Sequence, residues 1–246
     1  MKPLQAASQW LAALSRRFEL PAADRDAQRF TDCAETVRAL LALHSPRHLL
    51  DIGAHMGNWA WVLRRLHAGL ESAVLVEPQA KRQAALQALA LPGVQKTVFA
   101  CALGARPGSG VLTGGTASAS LLAPREQRTR FPGSLGDETE AVEVRTLDAL
   151  YAGRALPQPD LVKVDVQGGE LGVLEGGLGV IAGARCLVVE LSLRQFYEAQ
   201  PPLWQLLRFL AEQDFVLAGR GYEWRLDANP AELLQFDGIF LRRGAR

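Results

Sequence analysis

Three acidic residues, Asp51, Glu77 and Asp165, each close a short apolar run. The runs read LLD, VLVE and LVKVD, the pattern of strands buried on both faces of a parallel sheet. Parallel strands bring their carboxyl ends to one crevice, so acids far apart in sequence converge there. Glu77 can accept hydrogen bonds from both hydroxyls of a ribose. Such charge-assisted bonds contribute roughly 1.5–3 kcal/mol each before desolvation is subtracted. Asp51 is placed to fix the turn that follows it and to face a cationic amino-acid group, directly or through water.

That turn lies in LLDIGAHMGN, Leu49 to Asn58, which passes into the amphipathic segment WAWVLRRL. A strand turning sharply into a helix is expected, with Gly53 and Gly57 letting a ligand approach the helix N-terminus. The first turn of an open α/β sheet is where a nucleotide-like ligand rests. A diphosphate-binding turn would read GxGxxG, but His55 stands two residues after Gly53, and the spacing is GxxxG. An uncharged linker between an adenosine and an amino acid does not need the missing glycine. This spacing disfavours a nicotinamide dinucleotide without excluding it, and S-adenosylmethionine is the working expectation for the turn.

The elements needed to hold these residues are consistent with composition. A chain of 246 residues, 48% hydrophobic and 22% charged, suits one soluble α/β domain with a short appendage. A net charge of +1 provides no basic field for nucleic acid. Cys33, Cys101 and Cys186 are scattered, without a CxxC pair, which argues against a disulfide framework and a zinc site. No run of about 20 apolar residues spans a membrane, and a cytoplasmic protein is expected. Nothing in the sequence fixes an oligomeric state.

Two helices are expected before the first strand, one carrying Leu4, Ala7, Leu11, Leu14 and Phe18, the other Phe30, Cys33, Val37, Leu40 and Leu41. They form a helical appendage over 1–46 that packs on the sheet edge in a structural role. From residue 47 onwards strands and helices alternate: Leu49 into Asn58–His67, Ser72–Pro78 into Gln79–Ala90, then a strand over Val94–Gly104. The pattern breaks over residues 105–140, rich in Gly, Ser, Thr and Pro, with Arg125, Arg128 and Arg130. Either an irregular insertion or a short hairpin of SGVLTG with ASASLL about Gly114-Gly115 is expected there, beside an acceptor pocket. A strand over Val142–Arg145 and a short helix from Thr146 follow. Strands over Asp160–Gly168 and Cys186–Ser192 come next, then a helix over Leu203–Gln213. FVLAGRG and FDGIFLRR close the chain as an antiparallel pair.

DIGAHMGNWA, VEP, ACALG, ASASLL, VRTLD and KVDVQGGELGVLEGG occur in the order seen in FkbM-type S-adenosylmethionine-dependent methyltransferases, and the chain resembles that family from Leu49 to its C-terminus. The resemblance implies a doubly wound, Rossmann-like seven-stranded methyltransferase sheet whose last strand inserts antiparallel. It also implies O-methylation of a hydroxyl on a sugar, glycan precursor, polyketide or other secondary metabolite. The cofactor turn would be formed by Asp51, Gly53, Ala54, His55, Gly57 and Asn58, the ribose site by Glu77 and Pro78, and the adenine site by Ala102 and Leu103. Asp165 would lie near the reacting end. The chain has His55 where the family commonly has Asn, and Gln167 where it commonly has Glu. An amide orients a hydroxyl but does not take its proton.

Methyl transfer from a sulfonium is an in-line displacement, so alignment carries much of the catalysis. A base within hydrogen-bond reach of the acceptor hydroxyl adds to it. The candidates are Asp165 first, then Glu190 and Glu170, with His55 as a near-neutral titrating group. Glu170 also suits a helix N-terminus electrostatically. Glu190, Leu191 and Ser192 form a poor set of hard ligands, so no metal is expected. Two other readings remain: a non-catalytic cofactor-binding homologue, suggested by Gln167, and a nicotinamide-dependent oxidoreductase, disfavoured by His55.

Overall fold

A computed structural model of the protein describes residues 27–131, 133–226 and 229–244. The expected helix over Leu4–Phe18 lies outside them. The chain enters with α1 (Ala27–Leu41), then β1 (His48–Ile52), α2 (Asn58–Leu66), β2 (Ser72–Val76), α3 (Ala80–Ala88) and β3 (Gln95–Phe99). A smaller unit follows, with β4 (Ala102–Leu103), β5 (Gly108–Thr113), α4 (Gln127–Arg130) and β6 (Thr139–Arg145). The remainder is α5 (Leu147–Tyr151), β7 (Leu161–Val164), α6 (Glu170–Glu175), α7 (Leu178–Ile181), β8 (Cys186–Ser192), α8 (Leu203–Glu212), β9 (Phe215–Leu226) and β10 (Asn229–Arg242).

Seven strands form one sheet in the order β3-β2-β1-β7-β8-β10-β9. β1 pairs in parallel with β2 on one side and β7 on the other, and β8 continues the parallel array. β10 runs antiparallel to both β8 and β9. The strand order reverses at β1, so the turn after Ile52 sits at the switch point where crevices open in such sheets.

Side chains alternate along each strand into two cores. Leu50, Ile52, Val162, Val164, Leu187 and Val189 pack with α6 and α8 on one face. Leu49, Leu75, Leu161 and Val188 pack with α1 and α2 on the other. Both faces are covered, which explains why these strands are apolar throughout instead of alternating with polar residues. α1 lies against α2 and against β9, the edge strand.

Two expected elements differ, and a third takes one of its two expected forms. The strand expected over Val94–Gly104 is two: β3 joins the main sheet, whereas β4 leaves it to pair with β6 in a three-stranded sheet ordered β4-β6-β5. Of the two alternatives for 105–140, the segment is largely irregular, and SGVLTG meets ASASLL only briefly. Thr113 and Ser120 make one antiparallel bridge, and the partner of β5 is β6. The reason is the Ser120 hydroxyl, which accepts from Leu122 N at 3.0 Å and donates to Gln167 O at 2.7 Å, turning the chain away. The closing strands also extend beyond FVLAGRG and FDGIFLRR, to Leu226 and back from Asn229.

Candidate active site

A cavity of about 760 Å³ runs along the carboxyl ends of the strands, within the range of small-molecule sites. Its floor begins at the turn after β1. Gly53 (φ +76°) and Gly57 (φ +78°) both adopt the left-handed conformation. A Cβ on Gly53 would stand 1.8 Å from Asp165 O, and one on Gly57 2.5 Å from Leu89 Cδ2. The first glycine therefore lets the ends of β1 and β7 touch, and the second seats α2 on Leu89. His55 also has positive φ, at 50°. Asn and His are among the non-glycine residues that tolerate this conformation, which gives a physical reason why these two residues share the position.

Glu77 is 3% exposed and lines the cavity. Its carboxylate accepts His55 N–H at 2.8 Å and Gln79 N–H at 2.9 Å, one on each oxygen. Burial raises its pKa, and the two N–H groups oppose that shift. The carboxylate is thus fixed in orientation while each oxygen keeps lone-pair capacity for a further donor. In the same half of the cavity Trp59 Nε1 and Gln79 Oε1 are buried without a partner. They are an unpaired donor and an unpaired acceptor among the residues that line the cavity. Ala102 and Leu103 line the adjoining wall. This donor set and the close-approach glycine fit an adenosine joined to an amino acid.

Gly53, Ala54, His55, Asn58, Glu77, Pro78, Ala102, Leu103, Asp165 and Glu190 all line the cavity. Asp51, Gly57 and Glu170 are not among its lining residues. Asp51 is fully buried on the α2 face, in register with Lys163. Lys163 Nζ lies 3.4 Å from Asp51 Oδ1 and 3.4 Å from Asp165 Oδ2, and it donates to Gly53 O at 3.0 Å. Asp51 therefore braces the glycine turn through Lys163 instead of facing a ligand. Burial raises the Asp51 pKa against the pull of Lys163. On Lys163 burial acts downward, but Asp165, Asp51, Cys33 and Asp237 outweigh it and raise the pKa. A lysine inside the run LVKVD was the sequence signal for this bridge: a charge in a buried strand requires partners.

Glu170 closes the turn after β7. Its Oε1 accepts Val166 N–H at 3.1 Å and Gly168 N–H at 3.0 Å, and burial pushes its pKa up to about 7. Gln167 (φ +58°) reaches Asp165 and Glu190 at the cavity wall instead. Its Nε2 donates to Asp165 Oδ1 at 2.8 Å and Glu190 Oε2 at 3.1 Å. Tyr197 OH shares its proton between Ser118 O at 2.8 Å and Gln167 Oε1 at 3.1 Å. Two carboxylates are therefore held together by one neutral amide. Burial, and then Asp165, Glu170 and Asp237, raise Glu190 well above the usual carboxylate range. No local periodicity signals Tyr197 as a partner, because the contact depends on how the loop after β8 docks.

The chain matches the model of the methyltransferase FkbM domain over residues 51–217. The 2-O-methyltransferase NoeI of Sinorhizobium fredii (strain NBRC 101917 / NGR234) is 31% identical over 99 residues, 40% of this chain and 41% of that protein. The match thus spans less than half the length of this curated relative. Among solved structures, cofactor-bound Rv0187 from MTB aligns with a TM-score of 0.48 at 15% identity, covering 99% of this chain and 91% of that one. Magnesium protoporphyrin IX methyltransferase from Synechocystis PCC 6803, with bound SAM, aligns with a TM-score of 0.47 at 14% identity, covering 93% and 89%. On the match over residues 51–217, the chain belongs to the FkbM methyltransferase domain family.

Proposed function

We propose that the protein is an S-adenosylmethionine-dependent O-methyltransferase acting on a hydroxyl of a sugar, glycan precursor or secondary metabolite. The observation that carries this reading is the Glu77 carboxylate, buried at the cavity wall and oriented by two backbone N–H groups beside the close-approach turn at Gly53. Such a carboxylate accepts from a ribose diol. Ala102 and Leu103 provide the apolar wall for an adenine, and Trp59 Nε1 a donor for a carboxylate. The cofactor supplies a methyl group on a positively charged sulfur.

Asp165 takes the proton. Its side chain is 31% exposed, at the crevice where the cofactor half meets the rest of the cavity. Lys163 Nζ lies 3.4 Å from its Oδ2, and Gln167 fixes the orientation of its Oδ1. Asp165 would accept the proton of the acceptor hydroxyl as that oxygen takes up the methyl group. Glu190 is held beside it, and its raised pKa favours the neutral form, so the site does not carry two adjacent negative charges.

The test is methyl transfer from labelled cofactor by the wild type and Asp165→Asn. The asparagine keeps an oxygen for Gln167 but accepts no proton. A loss of about 10²–10⁴ in kcat is expected for a general base; full activity eliminates Asp165 from that role. A second reading, a cofactor-binding homologue without catalysis, is favoured by Gln167 standing where the family commonly has Glu. Cofactor binding with no transfer to any acceptor would select it.

A further inference from the structure

The methyl-transfer reading leaves the far half of the cavity unexplained. From Glu77, next after β2, to Trp224 on β9 the crevice crosses five strand spacings, roughly 24 Å at about 4.8 Å each. The cofactor half, from Glu77 to Asp165, crosses two of them. Beyond Asp165 the lining passes Glu190, then Gln235 and Asp237 on β10, then Tyr222 and Trp224 on β9. The two aromatic rings meet edge to face, with centroids 4.6 Å apart at 86°.

The insertion roofs the cavity, and on the cofactor side Gln79 Nε2 donates to Thr116 O at 3.0 Å. Thr116 Oγ1 donates to Ser134 O at 2.5 Å, and Gly136 N–H donates to Gly114 O at 2.7 Å, closing the base of the segment. Its far end is tied down where the N–H groups of Arg125, Glu126 and Gln127 converge on Phe196 O. Phe131 packs on Phe196, and Arg130 approaches Glu232 of β10 at 3.7 Å. From this roof Gln127, 3% exposed, faces the cavity. One end of its amide meets Ser134 Oγ at 3.3 Å, and the other is buried with no partner. Turning the amide over does not cure this, because a hydroxyl donates or accepts equally well and the opposite end is then left alone.

The charges on the walls are one-sided. Glu77, Asp165 and Asp237 line the cavity, with Glu190 beside them held toward its neutral form. Among the described lining residues, Lys163 is the one side chain with a fixed positive charge, and it is engaged by Asp51, Asp165 and Gly53 O. The arginines of the insertion do not line it: Arg128 pairs with Asp137, and Arg130 with Glu126 and Glu232. An anionic acceptor would be desolvated among carboxylates with no free cation to meet it. Hydroxyl groups suit the same walls, donating to the carboxylates and pairing with either end of an amide, while a ring lies on the aromatic pair.

Resting on the methyl-transfer reading, we propose that the acceptor is an uncharged, polyhydroxylated ring, a glycoside without phosphate or nucleotide, and that Gln127 is the residue of the insertion that selects it by a hydrogen bond. The sugar hydroxyls complete the Gln127 amide at the roof. The reacting hydroxyl points at Asp165.

The experiment first titrates the protein with S-adenosylhomocysteine. Failure at that step belongs to the cofactor reading and is seen separately. The loaded protein is then screened by saturation-transfer NMR, and by transfer of labelled methyl, against methyl glycosides of hexoses and 6-deoxyhexoses. Their 1-phosphates and nucleoside diphosphate derivatives are screened in parallel. Neutral glycosides are expected to bind, with the phosphorylated forms at least tenfold weaker. Gln127→Ala is expected to weaken the glycoside about five- to tenfold, the loss of one hydrogen bond, with affinity for S-adenosylhomocysteine unchanged within twofold. Preference for the charged forms, no binding by any glycoside, or an unaltered glycoside affinity in Gln127→Ala overturns the proposal. An equal loss of both ligands in that variant does so too, since it marks Gln127 as structural.

Discussion

The carbonyl oxygen of Asp165 lies where a side chain at position 53 would begin, 1.8 Å from a Cβ built on Gly53. The turn assigned to the cofactor and the strand end carrying the assigned base are thus in backbone contact. Gly53→Ala is expected to force them apart. The left-handed φ alone costs about 1–2 kcal/mol with a Cβ present, and the contact with a carbonyl adds to it. A lower denaturation midpoint and at least a tenfold loss of S-adenosylhomocysteine affinity are expected. Normal affinity in this variant counts against the turn as the cofactor site.

Glu77 tests the ribose assignment. Ala at this position removes the acceptor and is expected to weaken S-adenosylhomocysteine by about tenfold or more. Gln is expected to do no better, because its NH₂ would oppose one of the two N–H groups, of His55 and Gln79, that now donate to the carboxylate. Calorimetry on both variants checks this; retained affinity in Glu77→Gln would show that the carboxylate is not needed.

Lys163 joins Asp51, Gly53 and Asp165. Lys163→Met leaves Asp51 buried without a cation and is expected to destabilise the fold by about 3–5 kcal/mol. Adding Asp51→Asn to that variant should recover part of the loss. Urea denaturation of the two proteins measures it, and a double variant no more stable than the single one contradicts the pairing.

Glu170 predicts a pH dependence. Its carboxyl is pushed up to about 7 in the folded protein, from an ordinary value of 4.5. The folded state therefore holds a proton that the unfolded state has released between those values. This group's contribution to stability is full below pH 4.5 and is lost as the pH rises through about 7. Glu170→Gln keeps an oxygen for Val166 and Gly168 and is expected to make stability flatter across that window. An unchanged slope would place the titration elsewhere.

Gln167 sets the charge state beside Asp165. In Gln167→Glu the nitrogen that donates to Asp165 and Glu190 becomes an oxygen, and three carboxyls must share protons. The acidic limb of the kcat profile should move upward by about one pH unit, as like charges raise one another's pKa. A profile identical to wild type removes Gln167 from the site's electrostatics.

The ends of the parallel strands were legible in the sequence, because an apolar run stopped by an acid and a glycine turn is a local pattern. Glu77 and Asp165 follow from it. Asp51 follows the same pattern yet lies one residue inside the end of β1, opposite Leu75 and Lys163, whereas Glu77 and Asp165 follow the last residues of β2 and β7, and only the register reveals that. The split of the third strand was hidden because β4 leaves the sheet inside one continuous apolar stretch. The roles of Gln127, Tyr197 and the terminal aromatics depend on docked loops and on pairing between residues distant in the chain. Neither leaves a periodic signature. The insertion was visible as a break in pattern, but the partners of its arginines were not: Arg128 and Arg130 pair with acids outside the cavity lining.

The central claim is that the crevice above Gly53 holds S-adenosylmethionine, and calorimetry of the wild type with S-adenosylhomocysteine and with NAD tests it most directly. The account predicts saturable one-to-one binding of S-adenosylhomocysteine, weakened at least about tenfold in Glu77→Ala, and no comparable binding of NAD. Tight binding of NAD with none of S-adenosylhomocysteine would contradict it.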